Sequence, residues 1–213
     1  MGNVSIVEVT PSRRGFDLYV ATQKQSLARI ARLDDRPRSE AELVARATEL
    51  DDAEVAALGL AAGAGDVPPA TVRAVSAAVS APLVRLDYVV AANQIYQARL
   101  LGFDAVIVPA SLALDELRQL AAVAGSLHMS AVVEAGDDAE VAAALQLPHA
   151  SVGLACHDSG GHLDVAAVTR LAATIDPART VIAIGEPESS QTLTQLAGRV
   201  DALLASGEWI PIA

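Results

Sequence analysis

The chain has 213 residues, 52% of them hydrophobic, and a mean hydropathy of +0.37; that is ample for one large core and too short for two comfortable α/β domains. A net charge of −11, with Lys24 the only lysine, argues against nucleic acid and anionic membranes as partners. No apolar run approaches the roughly 18 residues of a membrane span, the start "MGNVSIVEVTPSRRGF" is not built as a secretory signal, and the single Cys156 excludes an internal disulfide, so the expected compartment is the reducing cytoplasm.

Residues 1–27 read as an N-terminal extension, in which "GFDLYVATQKQSL" (15–27) carries a helical pattern. Short apolar runs then alternate with helix-like stretches. The first candidate strand is "LARIARL" (27–33); a helix at 39–49 follows, opened by Ser39 with Glu42 three residues on. "EVAALGLA" (54–61) precedes a helix at 69–80, and "PLVRLD" (82–87) precedes one at 91–101 that Gly102 should stop. "DAVIVPA" (104–110) leads to 113–125, with Gly125 as its stop, and "MSAVVEA" (129–135) leads to an Ala-rich helix at 137–146 opened by Asp137. "ASVGLAC" (150–156), a helix at 164–174, "TVIAIG" (180–185), a helix at 188–198 opened by Ser189 or Ser190, and "DALLAS" (201–206) complete the series.

Continuous apolar strands alternating with amphipathic helices predict a parallel sheet covered on both faces. Eight of them at this spacing predict a closed (β/α)8 barrel of the TIM type, one domain over 1–213 with its core at 28–208; an open doubly wound sheet is the alternative. No helical pattern follows the eighth strand before "GEWIPIA". The outer faces of strands eight and one are therefore expected to be covered partly by a helix from 15–27 and partly by a homodimer mate or other protein partner.

In such a barrel the C-terminal strand ends face the mouth. Arg85 and Asp87 end the third strand. Glu134 ends the fifth after small and apolar residues, where desolvation would raise a carboxyl toward an acid/base range; the alternative is a structural ion pair with Arg85 or another arginine. "CHDSGGH" (156–162) sets Cys156, His157 and Asp158 after the sixth strand. His157 suits an acid, a base or an anion contact. Adjacent strand residues point to opposite sides, so Cys156 reads as a wall residue. Asp34, Glu186 and Glu208 also fall near strand ends, but no compact ligand motif joins them, and neither metal nor cofactor is predicted.

"PLVRLDYVVAANQIYQARLLGFDAVIV" resembles the indole-3-glycerol phosphate synthase family, whose third strand reads P-V-L-R-K-D-F, followed by a Q-I-Y-E-A-R helix and a G-A-D-A-V-L-L strand. "LHMSAVVEAGDDAEVAAAL" (127–145) is similar to the family's L-G-L-E-A-L-V-E-V-H-D-E-E-E-L. Residues 28–158 follow the pattern and 159–208 follow it loosely.

The resemblance implies a barrel that closes an indole ring by protonating a carbonyl, expelling carbon dioxide and losing water. It also implies two lysines that this chain lacks: the family's R-K-D lysine falls at Leu86, and its E-I-K segment falls at Arg32 and Asp34. The strand-five glutamate is kept as Glu134, the strand-six asparagine becomes Ala155, and a nearby arginine falls at His157. The phosphate-binding turns S-E-S-G and G-E-S read "AIGEPESS" and "ASGEWIP", and the loops after strands one and two are short. Glu186, Glu188 and Glu208 crowd the place of the phosphate, although Ser189, Ser190 and the helix they open would suit an anion.

A leucine transfers no proton, and losing a positioned acid costs about 10²–10⁴-fold. The expected function is thus a diverged small-molecule enzyme, a cyclase, dehydratase or decarboxylating lyase. Glu134, His157 and Asp87 are its catalytic candidates, and Arg85, Arg32, Asp34, Cys156, Ser189 and Glu208 its substrate contacts, with Asp87 and Arg85 read alternatively as the strand-three frame left standing around the lost lysine. The alternatives are a non-catalytic barrel binding a metabolite or a partner subunit, and an authentic synthase in which arginine replaces both lysines, disfavoured because arginine holds its proton too tightly.

Overall fold

The computed structural model describes residues 9–23, 27–33, 39–62 and 67–209. Eight parallel strands close a barrel in chain order: β1 (Ala28–Arg32), β2 (Ala57–Leu60), β3 (Leu83–Arg85), β4 (Ala105–Pro109), β5 (Ser130–Ala135), β6 (Ser151–Leu154), β7 (Val181–Ile184) and β8 (Ala202–Ser206), with β8 paired to β1. Helix α1 (Phe16–Thr22) precedes β1. Helices α2 (Glu40–Asp52), α3 (Pro69–Ala78), α4 (Ala92–Leu101), α5 (Leu114–Ser126), α6 (Asp138–Ala144), α7 (Val165–Ala172) and α8 (Ser190–Leu196) each follow one strand. The fold is the predicted (β/α)8 barrel, and the open sheet is excluded by the β8–β1 pairing.

The helix ends follow local chemistry. Ser39 and Glu42 form a reciprocal capping box on α2, and the Asp137 side chain accepts from the Glu140 N–H at the start of α6. Gly102 ends α4 at φ +101, a conformation that a side chain resists. Gly125 does not end its helix as expected: α5 runs on to Ser126, and His128, at φ 54, turns the chain toward β5.

Alternation along the strands builds two apolar layers. Ile30, Val84, Ile107, Val132, Ile182 and Leu204 fill the barrel, whereas Leu58, Leu83, Val106, Val133, Val152 and Leu203 pack against the helices.

The N-terminal helix corrects an expectation. Rather than lying on strands eight and one, α1 closes the floor: Phe16 and Val20, one helical turn apart, join the inner layer. Asp17 accepts hydrogen bonds from Ser130 Oγ (2.6 Å) and Ser151 Oγ (2.5 Å) at the starts of β5 and β6. The apolar pair matches the open end of the barrel, and the carboxylate matches two inward hydroxyls beside it.

Among the described residues no α-helix follows β8, but the wall it would cover is not open. Ala31, Leu203 and Ala205 are buried within the single chain. A 3-10 turn, Gly207–Trp209, folds back so that Trp209 packs on the outer layer, its carbonyl accepts from Arg29 Nη1 (3.3 Å), and Arg46 Nη2 donates to the Gly207 carbonyl (2.9 Å). The apolar wall therefore gives no ground for a subunit mate there. Among the described residues no helix is long and apolar enough to cross a membrane.

Candidate active site

Strand parity decides which residues meet at the mouth. On β1, Ala28 and Ile30 belong to the inner layer, so Arg32 turns inward with them. Past β3, Leu86 is inward, packed against the inner layer in line with Val84. Gly59 on β2 makes room for it: a Cβ there would stand 2.8 Å from Leu86 Cδ2. On β5, Glu134 alternates with inward Val132 and is half-buried.

Arg85 has the opposite parity. It is buried beneath α4, where Nη1 donates to the Gln94 carbonyl (3.2 Å) and Nε donates to Asp87 Oδ2 (2.7 Å); a second donor, Nη2, contacts the same oxygen. Asp87 Oδ1 accepts from the Ala62 N–H (2.6 Å), holding the segment just past β2. The pair is thus a brace joining β3, α4 and the segment after β2. Both carboxylate oxygens and the guanidinium are engaged with protein, the arrangement of a strand-three frame rather than of a substrate contact.

Cys156 occupies the place of a wall residue. It is buried in the outer layer, with its thiol donating to the Gly136 carbonyl (3.6 Å), and burial, then the negative charge of Asp164, pushes its pKa up. His157 is exposed and lies over the end of β7, with Nε2 3.0 Å from where a Gly185 Cβ would stand. No hydrogen bond among the described residues joins it to Glu134.

Ser189 is exposed at the N-cap of α8 and makes no side-chain capping bond. Glu208 is exposed, and its N–H donates to Ser206 Oγ (3.2 Å). Nearby, Glu186 Oε1 accepts the Ser206 N–H (2.8 Å), so a backbone donor at the end of β8 is occupied by a protein carboxylate. Asp34 lies outside the described residues. Among those described, no group of three or more His, Cys, Asp or Glu is placed to hold a metal ion.

The structure adds one residue that sequence reasoning missed. Tyr88, just past the Arg85–Asp87 brace, donates its hydroxyl to Glu134 Oε1. This bond, then burial and the charges of Glu134 and Glu140, raises the phenol pKa to about 12. The phenol therefore stays protonated at any ordinary pH and faces the mouth as a donor. A tyrosine beside a strand-three mouth end, in a chain with 3% aromatics, was the available signal.

Residues 65–208 match the family model described as indole-3-glycerol phosphate synthase. The indole-3-glycerol phosphate synthase of Aromatoleum aromaticum is 47% identical over 73 residues, covering 34% of this chain and 28% of that protein. That of Azoarcus sp. is 40% identical over 72 residues, covering 33% and 27%. The matched stretch thus spans little more than a quarter of the length of these curated relatives. Among solved structures, the OMP decarboxylase of Leishmania donovani superimposes with a TM-score of 0.66 at 17% identity, over 90% of this chain and 89% of that one. Tryptophan synthase from M. tuberculosis superimposes with a TM-score of 0.66 at 19% identity, over 92% and 88%. At such identities the structural likeness is one of fold.

Proposed function

The chain belongs to the indole-3-glycerol phosphate synthase family, and from that premise we propose that it is a diverged small-molecule enzyme of the lyase type that has left the family's usual ring closure. The observation that carries this reading is the Tyr88–Glu134 contact at the mouth. Glu134 stands at the position of the family's strand-five glutamate, and Tyr88 at that of the phenylalanine in R-K-D-F. The family lysine between Arg85 and Asp87 is Leu86, which lies over Gly59 in the barrel.

In this reading Glu134 is the acid/base. Tyr88 donates a hydrogen bond that steadies the carboxylate and can pass to a substrate oxygen. His157, over the end of β7, is a second proton carrier, and Arg32 is a ligand contact. The Arg85–Asp87 brace sets the positions of β3 and α4 without touching substrate. No cofactor or metal is required by these groups, the partner is a small molecule, and the compartment is the cytoplasm.

The test is turnover of the family's carboxyphenylamino-deoxyribulose phosphate and of its dephosphorylated analogue, followed by indole fluorescence, with Glu134→Gln as control. The reading expects no indole from the phosphorylated compound and Glu134-dependent consumption of an unphosphorylated one. Glu134-dependent indole formation from the phosphorylated compound would instead restore the family reaction. Inertness toward both, with saturable binding, would favour a non-catalytic barrel.

A further inference from the structure

Arg32 ends β1 with its side chain turned into the barrel mouth. Its partners in register are Gly59 on β2, which offers no side chain, and Ser206 on β8. The Arg32 Nε is buried without a hydrogen-bond partner, and it is the single side-chain nitrogen or oxygen among the described residues in that state. No ion pair among the described residues engages the guanidinium either. A buried donor with no acceptor costs stability and persists where something else supplies the acceptor.

The mouth's carboxylates do not supply it. Glu134 is bonded to Tyr88, Glu186 to the Ser206 N–H, and Asp87 to Arg85. Arg14, Arg85 and Arg99, the other well-buried arginines with carboxylate partners, are all neutralised in place. Positive charge is therefore left open on the β1 side of the mouth. The β7–β8 side carries Glu186 and Glu188, and its Ser206 N–H is already taken. A multiply charged anion there would meet like charge.

We propose that Arg32 anchors the carboxylate of a small, singly charged, unphosphorylated ligand, using Nε and an adjacent Nη side-on. A planar carboxylate offers two oxygens at the spacing of that guanidinium edge, and it satisfies the buried Nε in the same contact. This deepens the reading of the mouth as a substrate site and rests on it.

Benzoate and inorganic phosphate are titrated calorimetrically into the full chain as wild type, Arg32→Leu and Arg32→Lys, and thermal unfolding of each is recorded without ligand. Wild type is expected to bind benzoate saturably in about the millimolar range, and phosphate at least about tenfold more weakly. Arg32→Leu loses at least about tenfold in benzoate affinity, and without ligand it unfolds at the same or a higher temperature because the orphaned donor is gone. Arg32→Lys retains weakened binding, since an ammonium supplies charge without the flat edge.

Benzoate binding unchanged in Arg32→Leu, phosphate binding tighter than benzoate, or no saturable benzoate binding by wild type would each overturn the proposal. So would a markedly lower unfolding temperature for Arg32→Leu, which would make the arginine structural. None of these arms reads turnover. Arg32-dependent binding by a catalytically inert barrel would keep the anchor and remove the enzyme. Glu134-dependent turnover with Arg32-independent binding would do the reverse.

Discussion

The Tyr88 hydroxyl and the Glu134 carboxylate meet at the mouth, 46 residues apart in the chain, and bridge the end of β3 to the end of β5. The phenol is the group whose titration records that contact. Its pKa stands at about 12 in the folded chain against an ordinary value of 10.0. A raised folded-state value means that the contact's contribution to stability is whole below about pH 10 and is lost as pH rises through about 12. Phenolate absorbance, with Tyr88→Phe subtracted, should show Tyr88 ionising near pH 12. In Glu134→Gln, the charged acceptor is gone and the midpoint should fall toward 10. A midpoint unmoved by that substitution would show that the two side chains do not meet in solution.

Leu86 fills the space that Gly59 leaves in the barrel interior. Gly59→Ala would bring a methyl to 2.8 Å from Leu86 Cδ2 and should destabilise by about 1–2 kcal/mol. Leu86→Ala alone should cost about 2 kcal/mol as a partly buried large-to-small change. Together they should cost less than the sum by about 1 kcal/mol, because the truncated side chain no longer opposes the new methyl. Denaturant unfolding of the four proteins measures the cycle. Strict additivity would mean that Leu86 turns out of the barrel.

The strands were legible because each is a continuous apolar run bounded by polar or glycine-bearing turns. Which arginine faces the mouth was not. Arg32 and Arg85 both end strands, and only registered pairing shows that Arg32 follows inward Ile30 while Arg85 follows outward Leu83. The helix over Phe16–Thr22 was legible from its pattern, but a Phe16–Val20 stripe says only that the helix buries one face. The hole it fills is set by the barrel, which forms from residues far along the chain. Tyr88 escaped for a similar reason: its partner lies on another strand, and no local spacing encodes the contact. Glu134 lies near the end of β5 and His157 three residues past β6, yet their separate surroundings, with Tyr88 beside one and Gly185 beneath the other, depend on tertiary structure.

Cys156 should be inert in the native protein. The residue is 6% exposed in the outer layer, and burial holds its pKa above the ordinary value, so little thiolate forms at neutral pH and little of it is reachable. Alkylation by iodoacetamide at neutral pH should run at least about tenfold slower in the folded protein than in denaturant. Equal rates would place the thiol in the open mouth and return it to the list of ligand contacts. Cys156→Ala should leave ligand binding in the mouth unchanged.

Asp104 holds the floor from which the mouth is built upward. Its side chain is fully buried, with Oδ2 2.8 Å from Arg14 Nε and Oδ1 2.7 Å from Arg99 Nη1. It also accepts from Ser12 Oγ (2.6 Å) and from the Leu83 N–H at the start of β3 (2.9 Å). Arg14 in turn donates to the carbonyls of Ser76, Val79, Ala81 and Gly102, tying the segment before α1 to α3 and α4. Asp104→Asn keeps the shape but leaves two largely buried guanidiniums without a countercharge. It should cost about 3–5 kcal/mol, as breaking a buried pair does, whereas a surface pair such as Arg118–Asp115 should cost less than about 1 kcal/mol. Asp115→Asn is therefore the control in the same denaturant series. A small loss at Asp104 would mean that α1 and its leading segment do not hold the barrel floor closed in solution. Hydrogen exchange at the Leu83 N–H would then be fast, where the present structure predicts it to be among the slowest in β3.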